Sequence, residues 1–254
     1  MLTFSLQSGS NGNSIYVEAG DVRLLIDAGI SGSCAQRRMA VHGRDIRDVD
    51  AVMISHDHND HIRNAGIFQR KFGLPLYMTP HTQEATWCNL GHLSDVRHFD
   101  SGDTLTFGSV LVHTAPTAHD AADGVVFVVE HEGKRLGIFT DLGHAYDGLV
   151  PLVESVDAAY LECNYDCDML ESGDYPPHLK ARISGDGGHL SNDDAHEVLR
   201  ACGSRRPKWI AVAHLSQDNN HPELAIDAVR SAVGADFPVH HASRYETSAV
   251  LSVP

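Results

Sequence analysis

Long apolar runs are missing from this sequence. No stretch approaches the ~20 apolar residues of a membrane-spanning helix. The start, Met1-Leu2-Thr3-Phe4-Ser5, has neither the basic cluster nor the apolar core of a secretory signal. A cytoplasmic location is expected. Cysteine is scarce and odd in number: Cys34, Cys88, Cys163, Cys167 and Cys202, with no CxxC pair. That argues for reduced thiols and against a disulfide frame. Cys163 and Cys167 resemble half a zinc site, but no second pair completes it. Basic residues are outnumbered, 19 Lys and Arg against 34 Asp and Glu, for a formal charge of −15. This balance opposes sequence-blind binding to nucleic acid. Basic clusters occur at Arg37-Arg38 with Arg44 and Arg47, at Arg70-Lys71, and at Arg205-Arg206 with Lys208. Each reads first as a solvated face. Low-complexity segments, short-period repeats and obvious linkers are also lacking.

What is present is histidine, 18 residues of it, and one dense motif: His56-Asp57-His58-Asn59-Asp60-His61. It directly follows the apolar run Ala51-Val52-Met53-Ile54, so a buried strand delivers it to a loop. Alternation aims His56 and His58 the same way, and Asp60 and His61 begin the next element. Neutral imidazole and carboxylate suit borderline-hard divalent metals. The motif reads as half of a metal centre.

Other apolar runs read as strands at Leu2–Gln7, Ser14–Ala19, Val22–Ile26, Leu76–Thr79, Ser109–Thr114, Gly124–Glu130, Arg135–Thr140, Ala158–Glu162 and Trp209–His214. Glu132-Gly133 turns two of them into a hairpin. Helical spacing covers Ile62–Phe72. Ser191 caps a helix to Ala201, with Asp194 as its capping-box partner, and Pro222 opens a last helix that stops at Gly234. Helices are a small minority before residue 190, which points to two stacked sheets flanked by helices and away from a doubly wound parallel sheet. Five strands end in a residue able to bind metal or move protons. These are the motif after Ala51–Ser55, His119 after Ser109–Thr114, Asp141 after Leu136–Thr140, then Glu162 and His214. Singly, each is a turn former or a surface residue. Jointly, they form a set on rigid strand ends.

In these residues the chain resembles the metallo-β-lactamase fold superfamily over nearly its whole length. The resemblance implies a four-layer αββα fold in a single domain, 1–254, of the α/β (α+β) class. It implies two divalent ions, one held by His56, His58 and His119, the other by Asp60, His61 and His214, with Asp141 shared. Two cations roughly 3.5–4 Å apart need such an anion, and a water between them becomes the nucleophile. Zinc is the default, with manganese and iron as alternatives. The segments Leu161–Asp166, Gly188–Asn192 and Ala213–Asn220 look like the YycJ/WalJ-type members. The family's usual E-A-N-H-D is altered here at Cys163 and Tyr165. That subgroup is similar to the phosphodiesterase branch, where a Glu-His pair acts beside the metals. Glu162 and His189 occupy those places, His189 as general acid and Glu162 as the group that raises its pKa. Asp60 joins them as a catalytic candidate.

Asp141 argues against a true β-lactamase. A glyoxalase-II-like thioesterase needs no acid for its thiolate, whereas an alkoxide does, so phosphodiester cleavage is favoured. The hairpin between His119 and Asp141 leaves no room for the arm of transfer-RNA processing enzymes. The stretch from Asp141 to His189 is too short for a β-CASP insertion. The expectation is an exonuclease or phosphodiesterase acting on DNA or RNA ends. The alternatives are a small cyclic or nucleotide phosphodiesterase, that thioesterase, and a non-catalytic regulatory member, which intact ligands disfavour. Asp27 either bonds a ligand histidine or its loop or simply forms a turn. Ser8–Ser14, Ser216 and Asn219 are candidates to border the site, and His144, a candidate to face substrate, reads first as a surface residue.

Overall fold

The computed structural model describes residues 1–254. Strands β1 (Leu2–Gln7), β2 (Ser14–Ala19) and β3 (Val22–Ile26) form an antiparallel meander. Helix α1 (Gly32–Val41) then crosses to β4 (Ala51–Met53), which lies parallel to β3. Two short helices, α2 (Asn59–Ile62) and α3 (Ala65–Phe72), lead to β5 (Leu76–Met78), and α4 (Pro80–Ala85) to β6 (Val96–His98), both strands again parallel.

The second half repeats this plan. Strands β7 (Thr104–Phe107), β8 (Val110–Pro116), β9 (Val125–His131) and β10 (Lys134–Phe139) are antiparallel neighbours. Helix α5 (Leu149–Glu154) precedes β11 (Ala158–Glu162). Then α6 (Cys167–Ser172), α7 (Pro177–Ile183) and α8 (Asn192–Cys202) precede β12 (Trp209–Ala213), and α9 (Pro222–Val233) precedes β13 (Val239–His241). Strands β10 to β13 are parallel. The last strand, β14 (Leu251–Ser252), returns to pair with β1. The sheet orders are β14-β1-β2-β3-β4-β5-β6 and β13-β12-β11-β10-β9-β8-β7.

Strand alternation assigns the layers. Leu24 and Ile26 face Phe127, Val129 and Tyr160 between the sheets. Leu25, Val52 and Ile54 face Met39 and Phe68 of the helices outside the first sheet. Val126, Val128 and Leu161 face Val198 and Val229 outside the second. The order is helix, sheet, sheet, helix, as expected. Strands buried on both faces explain the continuous apolar runs.

Three expectations shift. The motif strand stops at Met53, because Ser55 turns to donate both its N–H and its Oγ to Asp27 Oδ1 at 2.8 and 2.9 Å. The span Ile62–Phe72 is broken at Arg63-Asn64. There Asn64 N–H donates to Ala28 O at 3.0 Å, and Ala28 N–H donates to His61 O at 2.7 Å, so the chain is held to β3's exit. Seven helices, α1 to α7, stand before residue 190, more than read from sequence. Apart from α1 they have eight residues or fewer, too short for sustained periodicity.

The capping box is present: Ser191 Oγ accepts from Asp194 N–H at 3.0 Å, and Asp194 Oδ2 accepts from Ser191 N–H at 3.1 Å. Ser191→Ala is expected to lower stability by about 1 kcal/mol in urea titration.

Candidate metal centre

The parallel halves of the two sheets send their carboxyl ends to one edge. Asp27 follows β3, the motif loop follows β4, Asp141 follows β10, Glu162 ends β11 and His214 follows β12. Asp27, Asp141 and His214 have φ of 68°, 57° and 56°. Non-glycine residues rarely adopt this left-handed region, and its cost of order 1–3 kcal/mol persists where the surroundings fix it. Each strand ends abruptly there and its side chain enters the cluster.

His56, His58 and His119 offer ring nitrogens within 4.8 Å of one another. His119 Nδ1–H donates to Gly188 O at 2.6 Å, which leaves Nε2 bare, 3.1 Å from His58 Nδ1. His56 Nε2 is buried without a partner. Asp60, His61 and His214 form a second such group. His61 Nδ1–H donates to Asp27 Oδ2 at 2.7 Å, which turns Nε2 toward Asp141 Oδ2 at 3.1 Å. His214 Nε2 lies 3.3 Å from Asp60 Oδ2. Asp141 stands between the groups, its Oδ1 3.7 Å from His119 Nε2. Its Oδ2 is buried and accepts no hydrogen bond.

Glu162 is wholly buried and fully engaged. Oε1 accepts from His189 Nδ1–H at 2.9 Å and from His214 Nδ1–H at 3.0 Å. Oε2 accepts from the N–H groups of Leu142 and Leu190 at 2.9 and 3.1 Å. His189 thus keeps Nε2 for the cavity that its ring lines.

Electrostatics divides the cluster. Burial pulls His56 well below the usual histidine pKa, helped by His61, and pulls His119 down too. Burial penalises charge on His61 as well, but Asp141, Asp27 and Asp60 outweigh it and hold its pKa well above the usual value. Against the same penalty, Asp141, Asp60 and Glu162 push His214 up to about 10. Burial opposes ionisation of Asp60, Asp141 and Glu162, yet the histidines hold the first two far below the carboxylate range and Glu162 at about 2. No lysine or arginine pairs with Asp27, Asp60, Asp141 or Glu162. Buried charge of this kind is paired or coordinates metal. The bare His56 Nε2 and Asp141 Oδ2 match donor atoms that await a cation, so the residues present fit divalent ions.

A cavity of 340 Å³ opens on this edge, lined by His58, Asp60, Asp141, His189 and His214 among others. Sequence reasoning missed several supports. Asp57 Oδ1 accepts from Ala122 N–H at 2.9 Å, tying the motif to the loop after β8. Asn164 Nδ2 donates to His214 O at 2.7 Å, and Ser8 Oγ accepts from His214 N–H at 2.9 Å. Asn13 Nδ2 donates to Asp60 Oδ2 at 3.3 Å. Their partners are remote in sequence, so no local pattern marks them. The Ser8–Ser14 loop therefore braces ligand candidates, and Ser10 and Ser216 line the cavity. His144 is exposed with Nδ1 bonded to Asp186 O, and Asn219 lies outside the cavity lining. Tyr165 is buried in a small apolar cluster with Leu170 and Ile183. Of the basic clusters, Arg44 pairs with Glu18, Arg47 with Asp45, Arg205 with Glu154 and Lys208 with Asp157, and none of these lines the cavity.

Fold and cluster together define a metal-dependent hydrolase. Residues 22–210 match the family model of the beta-lactamase superfamily domain. The exodeoxyribonuclease WalJ of Streptococcus pneumoniae serotype 2 is 37% identical over 260 residues, covering 98% of this chain and 95% of WalJ. The exodeoxyribonuclease YycJ of Bacillus anthracis is 35% identical over 248 residues, 92% of each chain. The chain belongs to the beta-lactamase superfamily, in the subgroup of WalJ- and YycJ-type proteins. In fold it is similar to the metallo-beta-lactamase fold protein YhfI from Bacillus subtilis, with a TM-score of 0.75 at 18% identity over 98% of both chains.

Asp27→Asn keeps a residue that tolerates positive φ while removing the charge that orients His61. Metal retention against a chelator is expected to fall 10–100-fold, with the far-UV circular dichroism unchanged.

Proposed function

We propose that this protein is a two-metal phosphodiesterase that removes nucleotides from the ends of DNA or RNA. The observation that carries this reading is the buried Glu162 holding His189 at the wall of the cavity. An alkoxide leaves a phosphodiester poorly unless it is protonated, and a histidine with one nitrogen anchored to a carboxylate can deliver that proton from the other. A thiolate needs no such acid. The names of the two exodeoxyribonuclease relatives support the same choice.

In this reading His56, His58 and His119 would hold one ion and Asp60, His61 and His214 the other, with Asp141 available to both groups. Zinc is the default, with manganese and iron as alternatives. When bound, the ions polarise the phosphoryl group and activate water at neutral pH. The chain's own residues do the rest. Asp27 and Gly188 fix the rings of His61 and His119 by their outer nitrogens. Glu162 is a positioning residue for His189 and His214, since it is buried and does not line the cavity. Asp60 faces the cavity beside His214 and orients that ring through its Oδ2.

Residues 1–254 act as one domain in this proposal, because β14 closes the first sheet beside β1 and both halves supply the cluster. No helix is long and apolar enough to cross a membrane. The five unpaired cysteines fit a reducing compartment such as the cytoplasm. A second reading, a phosphodiesterase for small nucleotides, is favoured by the small cavity and by basic clusters that do not line it.

End-labelled DNA and RNA, incubated with Mn²⁺ or Zn²⁺, are expected to release nucleotides, and a chelator to abolish release until metal is restored. Asp141→Ala is expected to lose at least about 10³-fold in kcat/KM. Release that survives in this variant would sink the assignment. His189→Ala is expected to lose about 10²–10⁴-fold on DNA. It should lose far less on a p-nitrophenyl diester, whose leaving group needs no proton. Equal losses on both substrates would remove His189 from the role of acid.

A further inference from the structure

The residues that line the cavity fall into two chemical groups. One is the polar histidine and carboxylate cluster, in which Asp141 and His214 are buried. The other comprises Trp87, Tyr175, Leu179 and Ile183. Trp87 lies in the irregular segment between α4 and β6 and is 76% exposed, while Trp209 is 6% exposed in the core between the sheets. The position of Trp87 in the cavity lining leaves its ring free to stack against a bound aromatic group.

The rest of this lining is braced. Tyr175 Oη donates to Asp218 Oδ2 at 2.8 Å, which holds the ring. Ile183 and Leu179 of α7 pack on Tyr165 and Leu170. The lining also lacks a free cation. Arg182 is the only lysine or arginine of the lining, and it donates to both carboxylate oxygens of Asp120 at 2.7 and 2.8 Å. A lining of aromatic and aliphatic groups without free positive charge suits a flat neutral ring and not a second phosphate. The volume of 340 Å³ is near the lower end for ligand pockets, the size of one small ligand and not of an extended strand.

We propose that Trp87 is the platform on which the base of the terminal nucleotide stacks, while the polar cluster takes its phosphodiester. Tyr175, Leu179 and Ile183 complete the base site. The proposal rests on the phosphodiesterase reading and adds to it the part of the substrate that is recognised. Stacking on an aromatic face tolerates every base, so the site selects a nucleotide without selecting a sequence.

Two measurements test it. Thymidine 5′-monophosphate, titrated into the metal-loaded protein, is expected to quench tryptophan fluorescence saturably in the wild type and in Trp209→Phe, and not in Trp87→Phe. Absence of quenching in the wild type, or its persistence in Trp87→Phe, overturns the platform. In the second, kcat/KM is compared between thymidine 5′-(p-nitrophenyl phosphate) and methyl p-nitrophenyl phosphate, which share a leaving group. The wild type is expected to prefer the nucleoside ester. Trp87→Ala is expected to lose about tenfold of that preference, mostly through KM, the effect of one lost stack. Trp87→Phe should keep most of it. An unchanged preference in Trp87→Ala overturns the proposal even if both esters are cleaved. Saturable Trp87 quenching with neither ester cleaved leaves the base platform standing and removes the phosphodiesterase reading instead. Because Trp87 is exposed, unchanged thermal unfolding separates lost stacking from lost fold.

Discussion

Asp27, Asp141 and Glu162 are buried with no lysine or arginine to neutralise them, and half-buried Asp60 joins them. Uncompensated charge in a protein interior costs several kcal/mol per ion, so these carboxylates constrain everything around them. Histidine is the only cationic partner they have. His61, His119, His189 and His214 each spend one nitrogen on a fixed acceptor, Asp27, Gly188 or Glu162, and keep the other free of it. The arrangement concentrates negative charge while holding bare nitrogens beside it, which suits divalent ions. The left-handed turns at Asp27, Asp141 and His214 are tolerated because the parallel strands before them are locked on both sides.

The fold repeats one scheme twice: an antiparallel meander, then parallel strands whose carboxyl ends carry the chemistry. Asp27 after β3 and Asp141 after β10 occupy matching places and share positive φ. Their tasks differ. Asp141 faces the cavity, whereas Asp27 stands behind His61 and holds its ring. The same strand exit thus supplies a candidate ligand in one half and its support in the other.

Much of this was legible in the sequence because it is encoded locally. His56–His61 is contiguous, and His119, Asp141, Glu162 and His214 each follow an apolar run whose burial is visible in composition. The capping box at Ser191 and the stop at Gly234 are equally local. Asp57, Asn13, Ser8 and Asn164 were not legible as supports, since their partners lie between 47 and 206 residues away. The short helices carry too few turns to show a period, and Trp87 has no neighbours in sequence that mark it as part of the cavity. The double duty of Glu162 follows only from β11 and β12 being adjacent in the sheet, which brings His214 beside His189.

The acidic balance of the chain is the feature least expected of an enzyme acting on nucleic acid. Binding along a strand depends on many phosphate contacts and the release of their counterions. Here Arg44, Arg47, Arg205 and Lys208 of the basic clusters are held in ion pairs, no residue of those clusters lines the cavity, and Arg182 at its edge is held by Asp120. An extended polyanion therefore gains little and meets repulsion. On the proposed reading a single terminal nucleotide is different, because bound ions would neutralise its phosphodiester locally and its base is uncharged. Recognition through one base and one phosphodiester would then make negative surface charge a means of discrimination, disfavouring internal segments while leaving an end able to enter. The same logic accommodates small nucleotide diesters, which resemble an end with nothing attached. The exonuclease and small-nucleotide readings thus share one binding event and differ in what extends beyond the cavity.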